Sequence, residues 1–214
     1  MKKIIIISIS IIIVLLFIFV LKQPKDTMDK GLPIFSPKFF NGFDPNKDKQ
    51  NPNHKVGDFV FRNQFDRKIK SNILDDHITI VSFFYSSCQL ICPTIIKRLK
   101  EVNAHFNNNN VVQILSFSIN PQIDTPDILN LFAREQYIHA PQWQLLTGSL
   151  DSLVSFATAS FFSNASMKNG FEGNIHTETL FLVDSNRRIR GMYNSSVKRD
   201  IALLIEDIET LLEQ

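Results

Sequence analysis

Two long apolar runs, rich in β-branched and aromatic residues, constrain the fold of this chain most. They are His77–Tyr85 ("HITIVSFFY") and Val111–Ile119 ("VVQILSFSI"). A continuous apolar run of this kind is typical of a strand that is covered on both faces. Between them, Pro93–Phe106 has apolar residues at helical spacing. The three segments therefore predict a β-α-β unit at the centre of an α/β domain.

The rest of the chain extends the same alternation. Thr125 and Ser149 are predicted helix N-caps, and Pro126 suits the first turn of a helix. The order β-α-β-α-β-α-β-β-α predicts a thioredoxin-like, three-layer α/β sandwich with a central mixed sheet. The further predicted elements are a hairpin over Asp58–Arg62 and Lys68–Ser71, a helix from Thr125 to about Tyr137, a strand over Trp143–Leu146, a helix over Ser149–Phe161, a hairpin over Thr179–Val183 and Arg188–Tyr193, and a final helix over Val197–Leu212.

The N-terminal sequence "MKKIIIISISIIIVLLFIFVLKQ" predicts a membrane anchor. Its run from Ile4 to Leu21 is apolar except for Ser8 and Ser10, and a helix of this length spans roughly 27 Å, close to the hydrocarbon thickness of a bilayer. The alternative, a cleaved signal peptide, usually has a shorter apolar run followed by small residues. Lys2 and Lys3 predict a cytoplasmic N-terminus and a C-terminal domain outside the cytoplasm. The predicted topology is that of a single-pass protein of the cell membrane whose domain faces the periplasm.

We predict three regions: an anchor at residues 1–22, an extracytoplasmic tether at 23–57 and a globular domain at 58–214. The tether is rich in Pro, Lys, Asn and Asp, and its phenylalanines, among them Phe35, are candidates for docking on the domain. The net charge of the chain is +2, and Lys2, Lys3 and Lys22 contribute three of its 23 basic residues. The remainder carries 20 basic and 21 acidic residues, which argues against a nucleic-acid partner.

The chain has only two cysteines, Cys88 and Cys92, in the segment "SSCQLICP". They follow the first buried strand and precede a helix that we predict to begin at Pro93, with Cys92 as its N-cap. The free N–H groups and the positive end of a helix stabilise a thiolate, the form that reacts and binds metals. Outside the cytoplasm, such a pair forms a disulfide, a catalytic dithiol or a metal site.

A metal bound by this pair would be soft. Two sulfur ligands favour Cu(I) or Zn(II), but a structural zinc site requires four ligands and the chain has no second cysteine pair. Among the five histidines, His176 is the best candidate for a third ligand, because it precedes a strand that should lie beside the cysteine loop. Met167 is a candidate auxiliary ligand from the same polar loop. The CxxxC spacing leaves room for a third ligand and also permits a disulfide, which would release copper.

These motifs resemble the Sco/SenC family of membrane-anchored copper proteins, which assist the assembly of the binuclear copper centre of cytochrome c oxidase. The resemblance extends from about His54 to the C-terminus, and rests on "VGDFVFRNQFD", "FFYSSCQLICPTI", "SFSINPQIDTPDIL", "WQLLTGS" and "HTETLFLVDSNRRIRGMY". It implies a thioredoxin-like fold, copper bound by Cys88, Cys92 and His176, as Cu(I) with Cu(II) left open, and an oxidase subunit as the recipient. Asp124 matches a position commonly acidic in the family, whereas Asn120 stands where many members have Asp.

Three interpretations remain open at this point. The first is a copper-binding assembly factor, which is a metallochaperone rather than an enzyme. The second is a thiol–disulfide oxidoreductase that uses Cys88 and Cys92 as a redox-active dithiol to reduce an oxidase subunit, and that does not need His176. The third is a binding module that uses neither cysteine. A peroxidase is disfavoured. Thioredoxin-fold proteins that reduce peroxides have a Thr three residues before a single reactive Cys, and the residue three before Cys88 is Tyr85.

Overall fold

The computed structural model describes residues 31–35, 54–161 and 178–214. The chain divides into two units, Met1–Gly31 and Leu32–Gln214, and the description below concerns the second. The predicted anchor, most of the tether, Met167 and His176 lie outside the described ranges. Within those ranges, no helix has both the length and the apolar character that crossing a membrane requires.

The described helices and strands follow the predicted order. The strands are β1 (Val60–Asn63), β2 (Lys68–Lys70), β3 (Ile78–Phe84), β4 (Val112–Ser118), β5 (Trp143–Thr147), β6 (Thr179–Val183) and β7 (Ile189–Asn194). The α-helices are α1 (Cys92–His105), α2 (Pro126–Glu135), α3 (Leu150–Phe161) and α4 (Lys198–Leu212). Thr125 and Ser149 cap α2 and α3 as predicted: their hydroxyls accept hydrogen bonds from the backbone N–H groups of Ile128 (3.4 Å) and Ser152 (3.2 Å).

Besides shifts of one or two residues at other helix and strand ends, the structure differs from the predictions at two places. Helix α1 begins at Cys92, not Pro93, and the residue at its N-cap is Ile91, which makes no side-chain capping bond. A short 3₁₀ helix at Ser71–Leu74, which the sequence pattern did not predict, links β2 to the turn before β3.

The described strands form one mixed sheet in the order β2-β1-β5-β4-β3-β6-β7. Strands β3, β4 and β5 are parallel, whereas β1 is antiparallel to β5 and β6 is antiparallel to β3. All residues of β3, β4 and β5 are buried, as expected for strands covered on both faces. The carboxyl ends of the parallel strands therefore share one edge of the sheet, where open α/β folds place their functional sites.

Side chains on the two faces of the sheet belong to different apolar clusters. On one face, Leu99 of α1, Leu129 of α2 and Leu204 of α4 pack with the sheet; on the other, Phe156 of α3 does so. The sheet, with α1, α2 and α4 on one face and α3 on the other, forms the three layers that the sequence predicts. Phe35 of the predicted tether packs against the cluster under α3, and its backbone N–H donates to the Ile189 carbonyl (2.9 Å).

Aromatic rings dominate the cluster under α3. Phe117 of β4 lies at its centre and has no exposed surface; its ring centroid is 5.0 Å from that of Phe156 and 5.6 Å from that of Phe59. The rings in mutual contact are those of Phe59, Phe61, Phe83, Phe117, Phe156, Phe161 and Phe181.

This packing predicts that Phe117→Ala lowers the free energy of unfolding by about 3–5 kcal/mol, because the variant loses buried apolar area and leaves a cavity. Urea unfolding of the chain in detergent, followed by circular dichroism, measures the change. The control is Phe65→Ala, since Phe65 is 51% exposed and should cost at most about 1 kcal/mol. Equal losses in the two variants would contradict the proposed role of the cluster.

Candidate metal and dithiol site

Both cysteines lie at the edge of the sheet where β3 ends. Cys88 is in the loop between β3 and α1, and Cys92 is the first residue of α1. Both are buried, with exposed fractions of 8% and 2%, and no disulfide joins them. The N–H of Cys88 donates to the carbonyl of Tyr85 (3.2 Å), which turns the chain at the end of the strand. Cys88 is thus the more accessible of the two sulfurs.

Two of the three residues between the cysteines face outward, whereas Ile91 is partly buried and packs against the apolar cluster that contains Leu99. Gln89 is exposed, and Leu90 is 85% exposed, although it is a large apolar residue. The middle of the CxxxC loop therefore projects into solvent, while the cysteines at its two ends are buried.

The environment of Cys88 favours its thiolate. Burial alone would raise the pKa of this thiol, but hydrogen bonds from the backbone N–H groups of Cys92 and Leu90, and from the side chains of Cys92 and Tyr85, lower it to about 7. This is the effect of a helix N-terminus on a thiol that sits just ahead of it. A large fraction of Cys88 is therefore ionised at neutral pH.

The environment of Cys92 has the opposite effect. Burial raises the pKa of the Cys92 thiol to about 12, and the charges of Cys88 and Asp124 contribute to the shift. The two sulfurs therefore differ chemically: Cys88 is a ready nucleophile or ligand, while Cys92 keeps its proton until a reaction or a metal removes it.

Asp124, which the sequence analysis singled out only as a position commonly acidic in the resembled family, lies beside this loop. The carboxylate is fully buried. Its oxygens accept hydrogen bonds from the Ser86 N–H (3.0 Å), from the Ser86 hydroxyl, and from the Ser118 hydroxyl (2.5 Å). The carboxylate therefore connects the cysteine loop to the end of β4.

A cleft of about 360 Å³ opens beside the sulfurs, between α1 and α2. Cys88 and Cys92 line one end, and Lys97 and Lys100 border it along α1. The Lys100 ammonium donates to the side-chain oxygen of Gln136, the residue that follows α2 (3.0 Å). This cleft gives an incoming group a path to the sulfurs.

His176, the predicted third ligand, lies outside the described residues, so its role stays a prediction. It precedes β6 by three residues in the sequence, and β6 pairs antiparallel with β3. The N-terminal end of β6 is therefore at the end of β3 that leads into the cysteine loop. In the described part of the chain, no group of three or more His, Cys, Asp and Glu side chains could hold a metal ion.

Other histidines contact groups elsewhere. The rings of His54, His77 and His105 form hydrogen bonds with the Ser160 carbonyl, the Asp75 carbonyl and the Glu209 carboxylate.

The chain is similar to known proteins over most of its length. A sequence model of the SCO1/SenC family matches residues 47–213, more than three quarters of the chain. A SCO1/SenC family lipoprotein from Bacillus anthracis shares 25% identity and a TM-score of 0.67, over 75% of this chain and 96% of that one. BsSco, a member of the Sco family of cytochrome c oxidase assembly proteins in which a disulfide switch was identified, shares 26% identity and a TM-score of 0.65, over 74% and 94%.

A third solved structure, Bradyrhizobium japonicum ScoI with copper bound, shares 21% identity and a TM-score of 0.60, over 73% of this chain and 99% of that one. At this identity the likeness concerns the fold. Together the comparisons confirm the predicted thioredoxin-like α/β fold with its mixed sheet.

The difference between the two thiols predicts selective alkylation of the reduced, metal-free chain. Iodoacetamide should modify Cys88 at a rate that rises through pH 7, because the thiolate forms as the pH passes its pKa, whereas Cys92 should stay unmodified below about pH 10. Mass spectrometry of tryptic peptides measures both rates. In Cys92→Ser, whose hydroxyl and N–H still donate to Cys88, the pH profile should persist. Faster modification of Cys92 would contradict this assignment.

Proposed function

Because the chain belongs to the SCO1/SenC family, we propose that it is a copper-binding assembly factor for cytochrome c oxidase. In this proposal Cys88, Cys92 and His176 hold the copper, which the protein delivers to the binuclear copper site of an oxidase subunit. The observation that carries the proposal is the pair of buried sulfurs at the β3–α1 junction, next to the end of the sheet at which β6 begins.

The donor set fits copper. Soft sulfur ligands favour Cu(I), and an imidazole suits copper in either oxidation state. Cu(I) accepts two or three ligands, so a dithiol and one histidine form a complete site. Zinc would require a fourth ligand for a closed site.

The named relatives support both copper binding and the role in oxidase assembly. BsSco is a cytochrome c oxidase assembly protein, and Bradyrhizobium ScoI binds copper. The oxidase subunit as recipient is carried over from these relatives and from the family.

The sequence also supports a proposal for the location of the protein in the cell. We propose that residues 1–22 anchor the protein in the cell membrane as a single span, that 23–57 form the tether, and that 58–214 form the copper-binding domain outside the cytoplasm. The apolar run and its flanking lysines support this arrangement, and the Bacillus anthracis relative is a lipoprotein. An anchored domain would reach a membrane-bound oxidase without diffusing away.

A thiol–disulfide reductase is the second candidate function. The observation that favours it is the difference between the sulfurs, since a low-pKa, more accessible thiol beside a buried one is the usual arrangement of an attacking and a resolving cysteine. BsSco, with its disulfide switch, points in the same direction.

Copper titration of the reduced chain in detergent tests the first proposal. We expect one Cu(I) per chain, measured by competition with a chromogenic chelator. Cys88→Ser and Cys92→Ser should each weaken binding by more than the roughly 10–100-fold that outer-shell changes cause, because they remove a ligand itself. Ser87→Ala, an exposed position in the same loop, should bind like the wild type. Tight stoichiometric binding by the double cysteine variant would end the proposal.

His176→Ala separates the two candidate functions. If copper delivery is the task, this variant should bind Cu(I) more weakly and fail to restore oxidase activity in cells that lack the protein. A reductase would keep its turnover with a disulfide substrate and restore the oxidase. His105→Ala is the matched control, because His105 contacts Glu209 far from the cysteines.

A further inference from the structure

We infer that Asp124 is a positioning residue of the dithiol: its carboxylate holds Ser86, and thereby fixes the approach of the Cys88 sulfur to Cys92. The consequence for disulfide closure follows from the dithiol alone, whereas the consequence for copper rests on the proposed function. Asp124 would touch neither the metal nor a substrate; it acts through Ser86.

The carboxylate spans the two loops that follow β3 and β4. One oxygen accepts from the Ser86 N–H (3.0 Å) and from the Ser118 hydroxyl (2.5 Å), and the other accepts from the Ser86 hydroxyl. Ser86 is two residues before Cys88, so both of its bonds act on the segment that leads into the cysteine.

The Asp124 end of this connection is fixed. The backbone N–H of Asp124 donates to the Asn120 carbonyl (2.9 Å), and the next residue, Thr125, is the N-cap of α2. Ser118 is itself held from the other side, since its hydroxyl accepts from the Asn120 N–H (3.1 Å). The buried carboxylate is therefore the rigid partner, and the cysteine loop is the part that it restrains.

Cys88 itself is buried and receives hydrogen bonds, but its neighbours in the loop are not packed in the core. Ser87, Gln89 and Leu90 are exposed, so the apolar packing that fixes most side chains does not act on them. A buried carboxylate that accepts bonds from a backbone N–H and two hydroxyls provides a strong connection, because hydrogen bonds to ionised groups are stronger than those between neutral groups. Its loss would leave the Ser86 N–H without this partner and would give the loop more freedom.

The charge of Asp124 also contributes to the raised pKa of Cys92, so a useful experiment must separate charge from position. Asp124→Asn does this. The amide oxygen can accept from the Ser86 N–H and the Ser118 hydroxyl, while the amide nitrogen donates to the Ser86 hydroxyl, which turns to accept. All three bonds can thus be kept without the negative charge, whereas Asp124→Ala removes all of them.

The experiment measures the equilibrium between the dithiol and its disulfide in the full chain, in detergent, against glutathione. In this exchange one protein dithiol and one glutathione disulfide give one protein disulfide and two glutathione thiols. We expect Asp124→Ala to lower the equilibrium constant roughly tenfold, which corresponds to about 1.4 kcal/mol, because the looser loop brings the sulfurs together less often. Asp124→Asn should stay within about threefold of the wild type, on the same scale.

Two further variants guard against a trivial effect on folding. Ser86→Ala keeps the N–H bond and loses only the hydroxyl bond, and should fall between the wild type and Asp124→Ala. Asp184→Ala removes a buried carboxylate that accepts from the Asn186 and Arg188 N–H groups, at the end of β6 remote from the cysteine loop. It should lower stability without changing the disulfide equilibrium. If Asp124→Ala does not fold, Ser86→Ala and Asp124→Asn still decide the question.

Two results would overturn the inference. One is an unchanged disulfide equilibrium in Ser86→Ala and Asp124→Ala; the other is an Asp124→Asn variant as impaired as Asp124→Ala, which would assign the effect to charge. The Cu(I) dissociation constants of the same variants should change in the same order. If the wild type binds no copper but its disulfide equilibrium responds as expected, the proposed function fails and the positioning role stands.

Discussion

The pairing of β3 with β4 is the constraint on which the rest of this structure depends. The strands match over seven consecutive residue pairs, from Ile78 with Val112 to Phe84 with Ser118, and every one of these residues is buried. Because the strands are parallel and in register, both end at the same edge of the sheet. The Ile119 N–H donates to the Phe84 carbonyl (2.9 Å) just beyond the last pair, which keeps the two following loops in contact.

That shared edge explains how residues distant in sequence form one site. The loop after β3 carries Cys88, and the loop after β4 carries Asp124, 36 residues further along the chain. The carboxylate meets Ser86 because the two strands end together. The antiparallel pairing of β6 with β3 brings the start of β6 to the same edge, which is the basis for placing a ligand from the segment before it.

The sequence predicted the parts of the fold that depend on local pattern. The buried strands, the caps of α2 and α3 and both hairpins follow from apolar runs, cap residues and turn residues, and the structure confirms them. The position of the cysteines at a strand-to-helix junction followed from the same patterns. The family resemblance, which rested on five short motifs, is confirmed by the match to residues 47–213.

Contacts between segments that are distant in the sequence could not be predicted from local sequence patterns. A lone Asp before a Thr-Pro pair has the sequence signature of a helix entry, and only the tertiary fold reveals that Ser86 is its partner. The unequal thiols depend on burial and on donors from the loop itself, which spacing does not specify. The start of α1 at Cys92 rather than Pro93 shows the usual uncertainty of helix ends.

The unequal thiols have a consequence for the proposed delivery of copper. If copper binds as proposed, Cys88 is available as a thiolate at neutral pH, whereas the metal must displace a proton from Cys92. Metal binding that releases a proton is weakened by that step, so this pair would hold copper less tightly than two ionised thiolates would. The more accessible sulfur would hold the ion most readily, and the buried one would regain its proton as the ion leaves. Such a site favours transfer of copper over permanent storage. The same difference between the two thiols would serve a reductase equally well. The thiols alone therefore do not distinguish the two functions, whereas a requirement for His176 does.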